Sequence, residues 1–261
     1  MRRRPPRFSN RRGFWTLTVK EIRRFWSVLG QTVTAPVVTA MLYLLVFAHV
    51  LGGRSSAYPG VSYIAFLVPG LMMMSILQNA FANTSSSLTQ SKIMGNLVFL
   101  LMAPVSPLEF FGAYVIAALL RALLVGLAYW VATWPFVHLL PAAPLMLMSM
   151  FLLAGASLAV LGLIAGIVAS KFDHLAAFQN FFIMPLTFLS GVFFSVHSLP
   201  GIWSQVARFD PFFYMIDGFR YGFIGAGDAP IGISLAWAAG FFIAVSAVCL
   251  WLLRRGYRLR M

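Results

Sequence analysis

The run from Asn96 to Phe111, "NLVFLLMAPVSPLEFF", decides how this chain is to be read. It begins as apolar as a membrane span and then meets Pro104 and Pro107. The residue before a proline is pushed toward extended geometry, so Ala103 and Ser106 stop any helix arriving from the N-terminal side. The spacing predicts a helix of about three turns over 90–102. A turn across "APVSP" follows, and then a new helix from Leu108. Glu109 falls in the first turn of that helix, where a carboxylate suits the positive helix end. Ile93, Met94, Leu97, Val98 and Leu101 share one stripe of the short helix. It is too short to cross a bilayer, and its apolar stripe needs a cover. A partner below the bilayer or the chain's own spans can supply it, and the pattern leaves both open.

Working outward, the chain has 261 residues, 61% of them hydrophobic and only 10% charged. Soluble domains carry about 25% charged residues, so the solvent of this chain is lipid. Six apolar runs lie near 32–51, 61–82, 109–135, 145–169, 176–196 and 231–253. Each approaches the ~20 residues that cross about 30 Å of hydrocarbon. Backbone groups in lipid must bond within their own segment, so the predicted fold is an all-α integral membrane protein with six transmembrane helices. Residues 1–30 read as a basic tail and an interfacial helix, and 31–261 as a single transmembrane domain.

The formal charge of +13 does not point to nucleic acid. Nine of the 19 Lys and Arg residues precede residue 25 and four follow residue 253, each cluster abutting apolar sequence. That layout marks cytoplasmic flanks held at anionic membrane lipids. Two cytoplasmic termini require an even number of crossings. Six crossings then put Lys92 and Lys171 in cytoplasmic loops, and Arg54 outside. The 197–230 segment, with two Arg against three Asp, also falls outside. Residues 1–13 form a basic tail. In 14–30, Trp15, Val19, Ile22, Trp26 and Leu29 share one face, with Lys20, Arg23, Arg24 and Ser27 opposite, as in a helix lying in the interface plane. Within 197–230, two segments opening on Pro200 and Pro211 read as short external or re-entrant helices. Asp217 and Arg220, at i,i+3, read either as a helix-face pair or as a weak surface pair.

Catalytic patterns are sparse. The three lysines precede Glu21, Ile93 and Phe172, so none completes a phosphate-cradling G-x-x-x-x-G-K-[ST] loop. The four histidines are dispersed, whereas a zinc site needs clustered ligands. The single cysteine, Cys249, sits in the last apolar run. The chain therefore reads as a non-enzyme.

Several span residues stand out. Arg121 lies about 12 residues into span three, where an unpaired cation is expensive. It either meets an anionic substrate or lipid group or joins a structural network with Gln78, Asn79 or Asn180. Gln78, Asn79, Asn83 and Thr84 form a polar strip on span two. Gly155, Ala159, Gly162 and Gly166 give span four a close-packing face. Pro185 kinks span five, either as a gate element or as a fixed bend.

The ordered set of the amphipathic start, "LVFLLMAPVSPLEFFGAYV", "FFIMPLTFLSGVFFS" and "LPGIWSQVARFDPFFYMIDGFRYGFIG" resembles the permease subunits of ABC-2 type ABC transporters. The likeness is to small bacterial exporter permeases whose ATPase is a separate polypeptide. The resemblance implies a homodimer in the bacterial inner membrane, with two ATPase copies docked below. The short helix around 88–103 would be the coupling helix, with Lys92, Ile93, Met94, Leu97, Val98 and Leu101 at the contact and Trp15 and Ile22 of the interfacial helix beside it. Arg121, Gln78, Asn79, Asn83 and Pro185 are the candidate path residues. ATP and Mg would be bound by the ATPase, and no cofactor by this chain. Many relatives carry a charge in the loop helix, but Ile93–Met102 has none. A stand-alone secondary transporter or channel is the alternative. It would leave the short cytoplasmic helix unexplained.

Overall fold

The computed structural model describes residues 11–51 and 58–257. The basic start 1–10, the loop 52–57 with Arg54, the last four residues and the Leu101 side chain lie outside the described residues.

Among the described residues every regular element is helical. In chain order they are α1 (Arg11–Trp26), α2 (Leu29–Leu51), α3 (Tyr63–Ile93), α4 (Leu97–Met102), α5 (Pro107–Thr133), α6 (Pro144–Val168) and α7 (Phe172–Phe178). A π-helical turn (Gln179–Ile183) leads into α8 (Met184–Leu189), and a 3-10 turn (Val196–Ser198), α9 (Ile202–Phe209), α10 (Pro211–Ile224) and α11 (Ile231–Arg255) complete the set. Local chemistry sets several boundaries. Ser62 caps α3 by accepting from the Ala65 N–H. Ser106 and Glu109 form a reciprocal capping box with Pro107 at the first helical position, so α5 starts one residue before the expected Leu108.

Among the described residues five helices are long and apolar enough to span a membrane: α2, α3, α5, α6 and α11. The expected fifth span, 176–196, is not one continuous helix. Proline lacks an N–H and its ring crowds the carbonyl four residues back. Here the turn before Pro185 opens into a π turn, in which the Met184 N–H reaches the Gln179 carbonyl. Gly191, at φ +76°, then ends the helical run.

α3 is the central helix. Its apolar window is 78% buried, against 11% for α2 and 17% for α11. α3 packs on α6, α5, α2 and α10. The α3–α6 seam is tight because Gly162 has no side chain: an added Cβ would collide with Thr84 Oγ1 and the Phe81 carbonyl. Thr84 donates to the Ala159 carbonyl at 2.7 Å across the same seam. The small-residue face of span four is thus a helix contact. Met72, Met73 and Met74, all buried, pack inside the bundle.

Candidate coupling surface and translocation path

One end of the bundle carries α1 and α4. At 31 residues and about 1.5 Å each, α3 exceeds the hydrocarbon thickness. It runs past the expected limit of 82 to Ile93. The predicted single helix over 90–102 is two pieces, because Gly95 at φ +72° breaks it before α4 begins. The predicted stripe divides accordingly. Leu97 is buried, whereas Ile93, Met94 and Val98 are exposed. Phe99 and Met102, outside the predicted stripe, are exposed too, at 74% and 77%. The break turns α4 relative to α3, so one periodicity could not place both.

Lys92 points away from this surface. It is buried, and its Nζ donates to the Ile167 and Ala169 carbonyls at the end of α6. A cation at a helix C-terminus is favoured by the dipole and by the orphan carbonyls.

α1 presents Trp15 and Trp26 outward, with Ile22 half-buried. Its inner side is Leu17, Thr18, Glu21 and Phe25, and the helix packs on α5. The two-faced reading of this helix missed that inner side. Glu21 is fully buried and pairs with Lys20 at 3.0 Å and Arg24 at 3.3 Å. It also accepts from Ser87 of α3 at 2.6 Å. Arg24, expected on the solvated face, instead donates to the Asn83 carbonyl and side-chain Oδ1 at 2.8 and 2.9 Å. A carboxylate amid three cations reads as a surface group in sequence. Its burial follows from the polar strip of α3 lying opposite.

Arg121 of α5 donates from Nη2 to Asn79 Oδ1 at 3.0 Å. Asn79, not Gln78 or Asn180, is therefore its partner within the bundle. Gln78 and Asn79 also line a cavity of about 340 Å³ between α2, α3 and the π turn, together with Thr39, Ser75 and Gln179. Asn83 is held by Arg24 instead of lining that cavity. Pro185 is exposed next to Met184, which borders it. The candidate path residues therefore separate into a cavity pair, an arginine behind it and an anchor for α1.

The opposite end is bound by a polar network. Asp217 and Arg220, open in sequence to a weak surface reading, are each 1% exposed, with 3.9 Å between charged atoms. Arg220 donates to the Phe66 carbonyl at 3.2 Å and the Gly191 carbonyl at 2.7 Å, and it lies 3.9 Å over the Phe66 ring. Asp217 accepts from the Asp228 and Ala229 N–H groups. Asp228 accepts from Tyr58, Ser195 and the Val196 N–H. Burial pushes the Asp217 carboxyl above the usual carboxylate range, against the pull of Arg220 and those two N–H groups. Asp210 caps α10 and accepts from Ser190 at 2.7 Å. Burial raises it to about 6. Gly70 allows the 191–192 turn to approach, since a Cβ there would sit 2.9 Å from both Val192 O and Arg220 Nη2. The two predicted short helices exist: α9 is exposed along Ile202, Trp203, Val206 and Phe209, and α10 is buried against α3, α6 and α11.

Residues 12–224, most of this helical bundle, match the ABC-2 type transporter family. The chain belongs to that family. It is 36% identical over 245 residues to the inner membrane transport permease YadH of Escherichia coli K12, covering 94% of this chain and 96% of that protein. It is also 28% identical over 234 residues to nodulation protein J of Rhizobium leguminosarum bv. viciae, covering 82% and 83% of the two chains. The ABC-2 chain is thus the permease subunit of an ABC transporter, a multi-pass inner-membrane protein without a nucleotide-binding domain, and it works with an ATPase subunit. That family membership removes the stand-alone secondary transporter as a reading.

Proposed function

We propose that this permease forms half of a homodimeric exporter with six crossings per chain and both termini in the cytoplasm. The α7, π-turn and α8 run is the fifth, broken crossing. It spans 18 residues, or about 27 Å of rise. Phe178 stacks on Phe81 at 5.7 Å, while Tyr63 at the far end of α3 donates to the Phe193 carbonyl. The start of the segment therefore lies against α3, and the turn that follows it returns to the far end of α3. In this reading 1–30 is the tail and interfacial helix, and 31–261 the transmembrane domain.

Two copies of a separate ATPase dock at the α4 end and bind the ATP and Mg that drive transport. The observation that carries this reading is the exposed apolar surface of Ile93, Met94, Val98, Phe99 and Met102. An apolar patch of this kind, on a chain that works with a soluble subunit, is where that subunit fits. Trp15 and Ile22 of α1 flank it or enter the inner leaflet. Lys92 contributes by fixing α3 to α6, so that the patch moves with the bundle. Gln78, Asn79, Arg121 and the bend at Pro185 border the path, and nucleotide binding shifts its two conformations through their different affinities for the ATPase states.

The test is co-purification of the permease with its ATPase, and ATP hydrolysis of the pair in liposomes. Replacing Val98 and Phe99 together by Asp should lower association at least tenfold while membrane yield and thermal midpoint hold. A doubly charged variant that associates and hydrolyses ATP normally would overturn the docking surface.

A further inference from the structure

Arg121 has five N–H donors, and among the described residues it makes one hydrogen bond, to the neutral Asn79 amide. Its Nε is buried without a partner. The six acids of the chain all lie among the described residues. The three ion pairs there are Lys20–Glu21, Arg24–Glu21 and Arg220–Asp217, and none includes Arg121. Among the described residues no carboxylate therefore neutralises it.

The surroundings add to the deficit. Asn79 and Asn83 stand one helical turn apart on α3, and i,i+4 side chains are neighbours at about 5–6 Å between Cβ atoms. Asn79 receives Arg121, and Asn83 receives Arg24. The Arg24 donor fixes which atom of Asn83 is the oxygen, so its Nδ2 points elsewhere, and that atom too is buried without a partner. Lys20, Arg24 and Arg121 against Glu21 leave a local excess of two positive charges, three minus one. At this junction of α1, α3 and α5, Arg121 Nε and Asn83 Nδ2 are donors left without an acceptor, beside a buried Tyr114 hydroxyl that can donate as well as accept. Only an acceptor-rich anion answers both, and phosphate-type oxygens are the ligand that guanidinium groups hold best.

We infer that Arg121, with Arg24 and Asn83 beside it, is the binding site for one phosphate-bearing anionic head group. Arg121 is half-buried, with its Nε enclosed and the residue as a whole still partly open to its surroundings. α1 is an interfacial helix, which puts Arg24 and Asn83 at head-group depth, and the Arg121 chain can extend back toward the N-terminal end of α5 to meet the same level. The site rests on the proposed orientation, with α1 at the inner leaflet. Its head group is either that of a bilayer phospholipid or that of the exported molecule.

The experiment uses full-length permease without its ATPase, so its failure leaves the docking reading standing on its own assay. Delipidated protein in neutral detergent is titrated with phosphatidylglycerol, with phosphatidylcholine and with inorganic pyrophosphate, following thermal midpoint and bound lipid by native mass spectrometry. Wild type should retain one phosphatidylglycerol per chain at least tenfold more tightly than phosphatidylcholine. Arg121→Met should abolish the preference, and Arg121→Lys should keep part of it. Protection by pyrophosphate as well would assign the site to a phosphorylated cargo head group, whereas protection by the lipid alone would assign it to the bilayer. Should Arg121→Met misfold, Asn83→Leu replaces it, with the same loss of preference expected. Equal affinity for the two lipids in wild type, or an unchanged preference in a folded Arg121→Met or Asn83→Leu protein, would overturn the proposal.

Discussion

Two arginines within the bundle, Arg220 buried and Arg121 half-buried, mark how differently the ends of this permease are built. Arg220 is surrounded by carbonyls, an aromatic face and Asp217, and its neighbours Asp217 and Asp228 have their own donors from backbone and side chains. Arg121 has one neutral acceptor, and near it lie unpartnered donors. The polar network of the α10 end is complete within one chain, although α9 beside it also exposes apolar side chains. The α4 end leaves exposed apolar side chains and unanswered positive charge. Polar groups that are satisfied internally hold a region together, whereas groups left unsatisfied mark where something else binds.

Breaking the complete end should cost most. Arg220→Met strands Asp217 in a buried site, and removing one partner of such a pair costs about 3–5 kcal/mol. The expected result is a large drop in thermal midpoint and membrane yield. An Arg220 variant as stable as wild type would mean that the network contributes specificity without stability. A smaller effect is expected from Lys92→Met, which leaves the Ile167 and Ala169 carbonyls unmet where α3 meets α6. Charged hydrogen bonds of this kind contribute about 1.5–3 kcal/mol. The loss should appear as a lower thermal midpoint with ATPase affinity changed only a little. A large loss of docking at unchanged stability would return Lys92 to the contact surface.

The mildest test is titration. Asp210 rises from 3.8 in the unfolded chain to about 6 because burial disfavours its charge. Folding therefore takes up a proton between those values. The contribution to stability is full below pH 3.8 and is lost as pH rises through about 6. Thermal midpoints should fall across that window in wild type, and the slope should flatten in Asp210→Asn. An identical slope in both would place the titration elsewhere.

Much of the fold was legible because lipid leaves few choices. A run of apolar residues must be a helix, and five of the six expected spans appear as continuous helices. The expected fifth span is instead a divided helical run, since Pro185 announces a bend without saying that a π turn accommodates it. At the α4 end the apolar helix was legible from Pro104 and Pro107. Which of its side chains face outward was not, because Gly95 resets the phase between α3 and α4. Glu21 was passed over entirely. Its signal was a lone acid within a basic helix, opposite a polar strip on another span, and only the two together have meaning.

The sequence by itself determined the solvent, the helical class, the approximate spans and the break after α3, since these follow from hydropathy and from what proline forbids locally. The tertiary structure decided the direction in which each charge points. Lys92 turns to the end of α6, Arg24 to Asn83, Glu21 to Ser87, and Arg220 into a buried cage. Those choices depend on acceptors supplied by helices distant in sequence, and a partner's position is fixed only when the helices pack.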